Sequence, residues 1–262
     1  MVNVSNNHIM GKMKVLAVAN QKGGEGKTTT SINLAHGLSL NGLKTLLVDM
    51  DPQGNSSGIF IEPEEMKVCS TDLFMGKETI DKIIVTTKYK NLDLLPSKIS
   101  LAEVELGSLN VEAPYVLRDS IQKLGDRYDT VVIDCPPSLS IFTVNALVAA
   151  NFVIVPLQAE KFSIDGIKGL LQTIESIKRR INSDLRVLGA LVTQLKSNTV
   201  LTKTILPVIQ DYFKVFENSI SVGVAIGESH LSKQSLIDYN PGIKQAKEYL
   251  SFVKEVVVGI KE

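Results

Sequence analysis

The sequence predicts an α/β protein built on a mostly parallel β-sheet that is flanked by helices on both faces. Short apolar runs alternate along the chain with longer segments whose apolar residues recur at helical spacing. The apolar runs are nearly continuous, which is typical of strands covered on both faces. The length of 262 residues fits a single α/β domain that can bury a sizeable core.

The predicted elements follow one another in a regular order. The first strand, at 15–19, leads through a glycine-rich segment into a helix at 28–40. Five further strands and a weaker edge strand are predicted at 45–48, 92–95, 130–133, 152–155, 187–192 and 215–220. Five further helices are predicted at 115–124, 141–150, 165–181, 199–212 and 243–260. We expect the stretch 56–70 to be an irregular surface excursion.

The composition excludes several classes of protein. The 28 basic residues balance the 28 acidic residues, so any DNA binding must come from a local patch. Cys69 and Cys135 are too few for a disulfide framework, and we interpret them as reduced thiols. No apolar run approaches the roughly 20 residues that span a bilayer, so we expect no membrane association. Residues 1–13 are predicted to be a flexible arm before a single domain at 14–262, in a cytoplasmic protein without targeting signals.

The glycine-rich segment after the first strand is the strongest functional signal. Gly23, Gly24 and Gly26 let the backbone curl so that successive amides point at one anion. The following helix directs its N-terminus at the same place. Lys27 can reach the terminal phosphates of a nucleotide, and the Thr28 hydroxyl can bind the Mg²⁺ that bridges them. The alternative interpretation is a glycine-rich turn without a ligand.

Carboxylates end two of the predicted strands. Asp49 and Asp51 follow the strand at 45–48, and Asp134 follows the strand at 130–133. The carboxyl ends of parallel strands open on the ligand crevice of an α/β sheet. Beside phosphates and Mg²⁺, such carboxylates can hold metal-bound water or orient an attacking water. A turn that begins with an aspartate cap also explains Asp49 and Asp51.

One segment carries a resemblance to a known family. The deviant Walker A box of the ParA/Soj/MinD ATPases resembles Lys22-Gly23-Gly24-Glu25-Gly26-Lys27-Thr28-Thr29. The resemblance implies a P-loop NTPase fold, in which these eight residues contact the nucleotide, with ATP and Mg²⁺ as cofactors and hydrolysis of ATP to ADP and phosphate. It also implies that Lys22, the signature lysine, crosses to the nucleotide of the partner subunit in an ATP-dependent homodimer, where it offsets negative charge.

The same resemblance assigns roles to the carboxylates. It implies that Lys22 and Asp51 are catalytic, with Asp51 orienting the attacking water, and that Mg²⁺ is held by Thr28, Asp49 and Asp134. The stretches 156–160 and 190–193 also resemble the family. The sequence Asp-Pro-Gln-Gly-Asn at 51–55 is more similar to the ParA/Soj branch, which acts in chromosome or plasmid partitioning with a ParB-like partner, than to MinD.

Two features depart from that resemblance. Glu25 stands where the family has a small apolar residue, and a carboxylate beside a phosphate cradle repels the ligand unless it points away or pairs with a cation. We therefore expect a modest loss of ATP affinity or of dimerisation. The segment 219–228 lacks the family's DNA-binding arginines, and no arginine follows Arg186, which weakens the case for non-specific DNA binding at the nucleoid. A replacement patch or merely solvated side chains are the two interpretations of Lys196, Lys203, Lys214 and Lys233.

Three other functions remain as alternatives. A MinD-like positioning protein on membranes needs a basic amphipathic C-terminal helix, whereas the segment 249–262 balances its charges and is more typical of a core-docking helix. A metal-cluster carrier is disfavoured by the presence of only two cysteines. A nucleotide-binding module with little turnover stays open because of Glu25.

Overall fold

The computed structural model describes residues 12–107, 112–159, 163–196 and 200–261. The first strand begins at Lys14. The predicted flexible arm lies outside the described residues except for Lys12 and Met13, and it stays a prediction. None of the described helices combines the length and the apolar character needed to cross a membrane.

Seven strands form one sheet in the order β3-β4-β2-β5-β1-β6-β7. They are β1 (Lys14–Val18), β2 (Thr45–Asp49), β3 (Val85–Thr86), β4 (Leu92–Leu95), β5 (Thr130–Asp134), β6 (Phe152–Gln158) and β7 (Arg186–Thr193). Every neighbouring pair is parallel except β3 with β4. The predicted α/β fold with a mostly parallel sheet is confirmed.

Helices cover both faces of this sheet. They are α1 (Lys27–Leu40), α2 (Ser70–Phe74), α3 (Ile80–Ile83), α4 (Leu101–Gly107), α5 (Val116–Gln122), α6 (Ile141–Ala149), α7 (Ser163–Arg180), α8 (Val200–Gln210), α9 (Val224–Leu231), α10 (Leu236–Tyr239) and α11 (Lys244–Gly259). Successive strand residues point to opposite faces, so β1 contributes Val15 and Ala17 to one apolar cluster and Leu16 and Val18 to another. Helices α5, α6 and α7 complete the first cluster, and α1 and α11 complete the second.

The sheet brings the carboxyl ends of β1, β2 and β5 together. In the parallel register, Val18 of β1 lies opposite Asp134 of β5, and Asp134 lies opposite Asp49 of β2. The connection from β1 to α1 starts at the same edge. The strands that follow β1 in the sequence lie first on one side of it, with β2, and later on the other side, with β6 and β7. This edge is therefore the switch point at which open α/β sheets bind ligands.

The predicted edge strand at 215–220 is wrong. This segment runs beside β7 and forms isolated bridges rather than a continuous ladder, at Val215 with Ala190 and just beyond the segment at Ser221 with Leu195. The amides of Glu217 and Asn218 turn away from the sheet and each donate to the Glu255 carboxylate of α11 at 2.8 Å. A strand cannot continue where its amides bond elsewhere.

The stretch 56–70 is irregular, as predicted, but it does not begin at the surface. Ser56 and Ser57 are fully buried, and a 3₁₀ turn follows at Ser57–Ile59. Ser57 is buried because both its amide and its hydroxyl donate to the Asp49 carboxylate. The start of this stretch therefore belongs to the functional edge of the sheet.

Candidate nucleotide-binding site

The loop between β1 and α1 has the curled backbone that its glycines predict. Gly24 and Gly26 adopt φ angles of +79° and +84°, a left-handed conformation that side chains rarely tolerate. A Cβ atom at Gly23 or Gly24 would meet nothing within 4 Å, so the loop borders open space. Helix α1 begins directly afterwards, at Lys27, and no side chain of the described residues caps its N-terminus, so its first amides are available to a ligand.

Side chains from the ends of β6 and β7 anchor the loop. The side-chain amides of Gln158 and Gln194 each donate to the Gly24 carbonyl at 2.9 Å. The Thr193 hydroxyl donates to the Glu25 carbonyl, also at 2.9 Å. Because the N–H and C=O of a trans peptide point in opposite directions, these bonds turn the amides that follow each carbonyl to the other side of the loop. The loop therefore presents amides to an anion, as the P-loop interpretation requires.

Lys27 lies inside the site. Its side chain is largely buried, and its amine donates to the Lys22 carbonyl at 3.0 Å. Burial lowers the pKa of the Lys27 amine, and the negative charges nearby, that of Asp134 foremost, oppose the change. The lysine is thus held at the mouth of the loop beside the carboxylates of the site, where it can reach a phosphate group.

Asp134 has one carboxylate oxygen available to a ligand. Its Oδ1 lies 3.0 Å from the Ser31 hydroxyl of α1, which shares its proton between this oxygen and the Lys27 carbonyl. Its Oδ2 is buried and has no hydrogen-bond partner among the described residues. Burial, and then the charge of Asp49, raise the pKa of the Asp134 carboxyl, while the Thr28 and Ser31 hydroxyls oppose the rise. A buried carboxylate oxygen of this kind, beside a threonine hydroxyl, fits the oxygen ligands that Mg²⁺ prefers.

Asp49 is engaged more fully by the protein than its predicted role as a metal ligand suggests. Its Oδ1 accepts from the Asp51 amide at 3.0 Å. Its Oδ2 accepts from the Ser57 amide at 2.8 Å and from the Ser57 hydroxyl at 2.6 Å. Burial raises the pKa of the Asp49 carboxyl despite these bonds. Both oxygens thus hold the backbone after β2, and Asp134 is the better-placed ligand of the two.

Asp51 stands at the rim of the same site. Its Oδ1 accepts from the Gln53 amide at 2.9 Å, so the residue begins a turn, as the alternative interpretation predicts. Asp51 is buried, and its charge opposes the lowering of the pKa of the Lys27 amine. The turn and the catalytic interpretation are compatible, because the hydrogen bond to Gln53 fixes the carboxylate beside Lys27.

Glu25 is engaged by partners within the protein. Its carboxylate is fully buried and pairs with the Lys22 amine at 2.9 Å. The backbone amide of Gln158 donates to the second carboxylate oxygen of Glu25. Glu25 therefore meets one of the two conditions that relieve repulsion, since it pairs with a cation. Its charge still acts on the Lys27 amine, where it opposes the lowering of the pKa.

A cavity of about 210 Å³ opens beside the loop. Gly26 and Thr29 form its border with the loop, and Ile220, Val222 and Ile226 supply an apolar wall. The Thr29 hydroxyl lies 3.4 Å from Nε2 of His230 on α9. Thr193 and Gln194, which anchor the loop, line the same cavity. The cavity has the character of a pocket for a flat apolar group with polar edges.

The two cysteines and the lysines of the predicted patch are the remaining residues that the sequence singled out. Cys69 and Cys135 are free and buried, and burial raises the pKa of the Cys135 thiol. Of the lysines in the predicted patch, Lys196 and Lys214 are exposed, and Lys233 pairs with Glu62. The side chain of Lys203 lies outside the described residues.

The sequence reasoning missed the residues that support the loop and the carboxylates. They are Ser31, Ser57, Gln158, Thr193 and Gln194. Gln158 and Thr193 lie in stretches that resemble the family, which was the available signal. Ser31 and Ser57 carried none, because an isolated serine is common in helices and turns.

Comparisons with known proteins identify relatives of this chain. A family profile described as an AAA domain matches residues 13–187. The sporulation initiation inhibitor protein Soj of Bacillus subtilis is 37% identical over 247 residues, which cover 93% of this chain and 98% of that protein. The chromosome-partitioning ATPase Soj of Treponema pallidum is 39% identical over 249 residues, which cover 93% of this chain and 97% of that protein.

A solved structure gives the same result. A crystal structure of cobyrinic acid a,c-diamide synthase from Mycobacterium smegmatis, with bound ATP analogue and magnesium, superposes with a TM-score of 0.83 and 33% identity. The match covers 95% of this chain and 96% of that one. Together with the Soj relatives, it confirms the family resemblance seen in the segment 22–29. The chain belongs to the ParA/Soj family of P-loop ATPases.

Proposed function

We propose that this chain binds ATP with Mg²⁺ and hydrolyses the β–γ bond to drive partitioning of chromosome or plasmid DNA. The observation that carries the proposal is the Oδ2 of Asp134, which is buried and has no hydrogen-bond partner among the described residues, beside a curled loop that borders open space. The names of the relatives support the partitioning role, and the ATP analogue and magnesium in the similar structure support the ligands.

Each part of the site has a separate task in this proposal. The loop residues 22–29 and the N-terminus of α1 bind the phosphates, and Lys27 neutralises their charge. Thr28 and Asp134 would hold Mg²⁺, which supplies positive charge to the phosphate oxygens, while Asp49 secures the turn behind them. Asp51 orients the attacking water. The adjacent cavity takes the base of the nucleotide.

The proposal includes pairing of two subunits on ATP. A third of the Lys22 side chain is exposed at the rim of the loop, where a partner subunit's nucleotide can meet it. Lys22 would then complete the second site, and turnover would be slow in the monomer. A ParB-like protein would stimulate hydrolysis, as the partitioning role of the relatives suggests. Action on DNA would place the protein in the cytoplasm, at the nucleoid.

Binding to DNA is the least supported part of the proposal. The region 219–228 presents Val222 and Val224 at its surface and contains no arginine. Phosphate contacts would therefore fall to lysines such as Lys196 and Lys214, which are exposed. A filter-binding assay with ATP across a salt series decides the point, since absence of salt-dependent retention would remove DNA from the proposal.

The membrane alternative finds less support in the C-terminal helix. Helix α11 buries Tyr249, Phe252, Val253 and Val256 against the core that it shares with α1. The apolar face that a membrane anchor would use is therefore already covered. Sedimentation with anionic liposomes in the presence of ATP tests this, because co-sedimentation would favour the MinD-like function.

Two measurements on the purified protein test the proposed function. Phosphate release from ATP should require Mg²⁺ and stop on addition of EDTA. Sedimentation velocity should show a dimer with Mg²⁺ and a non-hydrolysable ATP analogue, and a monomer with ADP. Absence of both nucleotide binding and phosphate release would refute the function, whereas binding without release would favour the module with little turnover.

A further inference from the structure

We propose that Glu25 is a positioning residue that holds Lys22 on its own subunit and so sets the nucleotide concentration at which two subunits pair. The inference rests on the proposed function, in which Lys22 crosses to a partner's nucleotide. The inference adds a second partner for the Lys22 amine, the Glu25 carboxylate of its own subunit. The position of Lys22 then depends on a competition between the Glu25 carboxylate and the phosphates of the partner subunit.

The ion pair has one fixed member and one movable member. The Lys22 amine lies 2.9 Å from Oε1 of Glu25. The Glu25 side chain is 0% exposed and the Lys22 side chain 34% exposed. The backbone amide of Gln158, at the end of β6, donates to the other oxygen of Glu25 and secures the carboxylate. Glu25 therefore stays in place, and Lys22 is the side chain that can leave.

The backbone beside the ion pair is held on both sides. The Lys22 amide donates to Oδ1 of Asn20 at 3.2 Å. The Lys22 carbonyl accepts from the Lys27 amine at 3.0 Å. Departure of Lys22 is therefore a rotation of its side chain. Because the proposed function directs the Lys27 amine to the phosphates, nucleotide binding removes the second bond and loosens Lys22 beside the ion pair.

The burial of Glu25 makes this competition significant. Removing the cation from a buried carboxylate is far more costly than separating an exposed pair, because the remaining charge is left uncompensated. The partner's phosphates must compensate for this cost before Lys22 can cross. A charge at residue 25 therefore shifts the balance between two positions of Lys22, and hence between monomer and dimer.

The test neutralises the carboxylate and keeps its shape. Glu25→Gln retains an oxygen for the Gln158 amide, which Glu25→Val would not. Dimer formation is followed by sedimentation velocity while Mg²⁺ and a non-hydrolysable ATP analogue are titrated. We expect Glu25→Gln to lower the analogue concentration at half-dimerisation about fivefold or more relative to the wild type. An unchanged midpoint, or a higher one, would overturn the inference.

A double-mutant cycle separates this role from simple repulsion of the nucleotide. In a Lys22→Gln background, Glu25→Gln should have no effect on the midpoint, because the movable cation is already gone. A shift of the same size in that background would show that Glu25 acts on the nucleotide directly, and would overturn the inference. The matched control is Glu78→Gln, which neutralises a carboxylate in an exposed pair with Lys82 and should leave the midpoint unchanged.

Failure of the inference differs from failure of the proposed function. A wild type that binds the analogue and dimerises, with a midpoint equal to that of Glu25→Gln, refutes the inference and leaves the function intact. A wild type that neither binds nor dimerises refutes both. If Glu25→Gln does not fold by circular dichroism, Glu25→Asp replaces it. The shorter side chain weakens the pair, so we expect a smaller shift in the same direction, and no shift would overturn the inference.

Discussion

The hydroxyl of Ser31 on α1 donates a hydrogen bond that is shared between Oδ1 of Asp134 at the end of β5, at 3.0 Å, and the Lys27 carbonyl, at 2.9 Å. This bond joins the helix that follows the phosphate loop to the strand that carries the metal ligand. Since Oδ1 is occupied, the buried Oδ2 is the oxygen left for Mg²⁺. Orientation of a metal-binding carboxylate by a second side chain is common at protein metal sites.

Ser31→Ala should therefore weaken Mg²⁺ binding without removing a ligand. Supporting hydrogen bonds of this kind contribute about 10- to 100-fold to metal affinity. We expect the Mg²⁺ concentration that gives half-maximal phosphate release to rise by about tenfold or more. The control is Ser39→Ala on the same helix. Among the described contacts, the Ser39 hydroxyl bonds only to the His36 carbonyl. Equal Mg²⁺ dependence in the wild type and Ser31→Ala would contradict the assignment.

Asp51→Asn should separate nucleotide binding from hydrolysis. The variant keeps an oxygen for the Gln53 amide but loses the charge that orients the water. Proton transfer and orientation by such a group contribute about 100-fold or more to the rate. We therefore expect phosphate release to fall by about that factor while the Kd for Mg²⁺-ATP stays within about threefold. Calorimetry and a phosphate-release assay measure the two quantities.

Asp93→Asn supplies the control for this prediction. Asp93 lies on β4, accepts from the Tyr128 hydroxyl at 2.7 Å and pairs with Arg127, away from the loop. Its substitution should leave both binding and turnover unchanged. Normal turnover in Asp51→Asn would remove Asp51 from the catalytic role.

A buried histidine should make the stability of the fold depend on pH. His36 stacks on Tyr89 and bonds to Ser235, and burial lowers its pKa from 6.5 to about 4. The unfolded chain therefore binds this proton more readily than the folded protein does. The resulting stability is complete above pH 6.5 and is lost as the pH falls towards 4.

The size of this effect can be measured by urea unfolding at two pH values. Between about pH 7.5 and pH 5.0, we expect His36 to account for about 2 kcal/mol of the decrease in the free energy of unfolding. His36→Gln cannot bind the proton, so its decrease over the same interval should be smaller by about that amount. If the wild type and His36→Gln lose equal stability between the two pH values, His36 does not take up the proton on unfolding.

The sequence predicted the parts of this fold that depend on local pattern. The apolar runs that form β1, β2 and β5 are buried along nearly their whole length, so their identity did not depend on distant contacts. The strand β3 has only two residues and was missed, as was α9. The segment 215–220 has strand composition, but the Glu255 carboxylate on α11 takes two of its amides.

The site was predicted in outline but not in its connections. The loop glycines, Lys27 and Asp134 lie together as expected. Asp49 was predicted to bind metal, whereas its oxygens are engaged by Asp51 and by Ser57, eight residues further along the chain. The amide that secures Glu25 belongs to Gln158, 133 residues away, and no local pattern carries that information.

The central claim is that the segment 22–29 binds Mg²⁺-ATP, and calorimetric titration of the wild type and Lys27→Ala tests it most directly. We expect one Mg²⁺-dependent site per chain in the wild type and a loss of about 10- to 100-fold in affinity in Lys27→Ala. Lys44→Ala, which removes an exposed lysine, should bind as the wild type does. Absence of binding to the wild type, or equal affinity in a folded Lys27→Ala variant, would contradict the account.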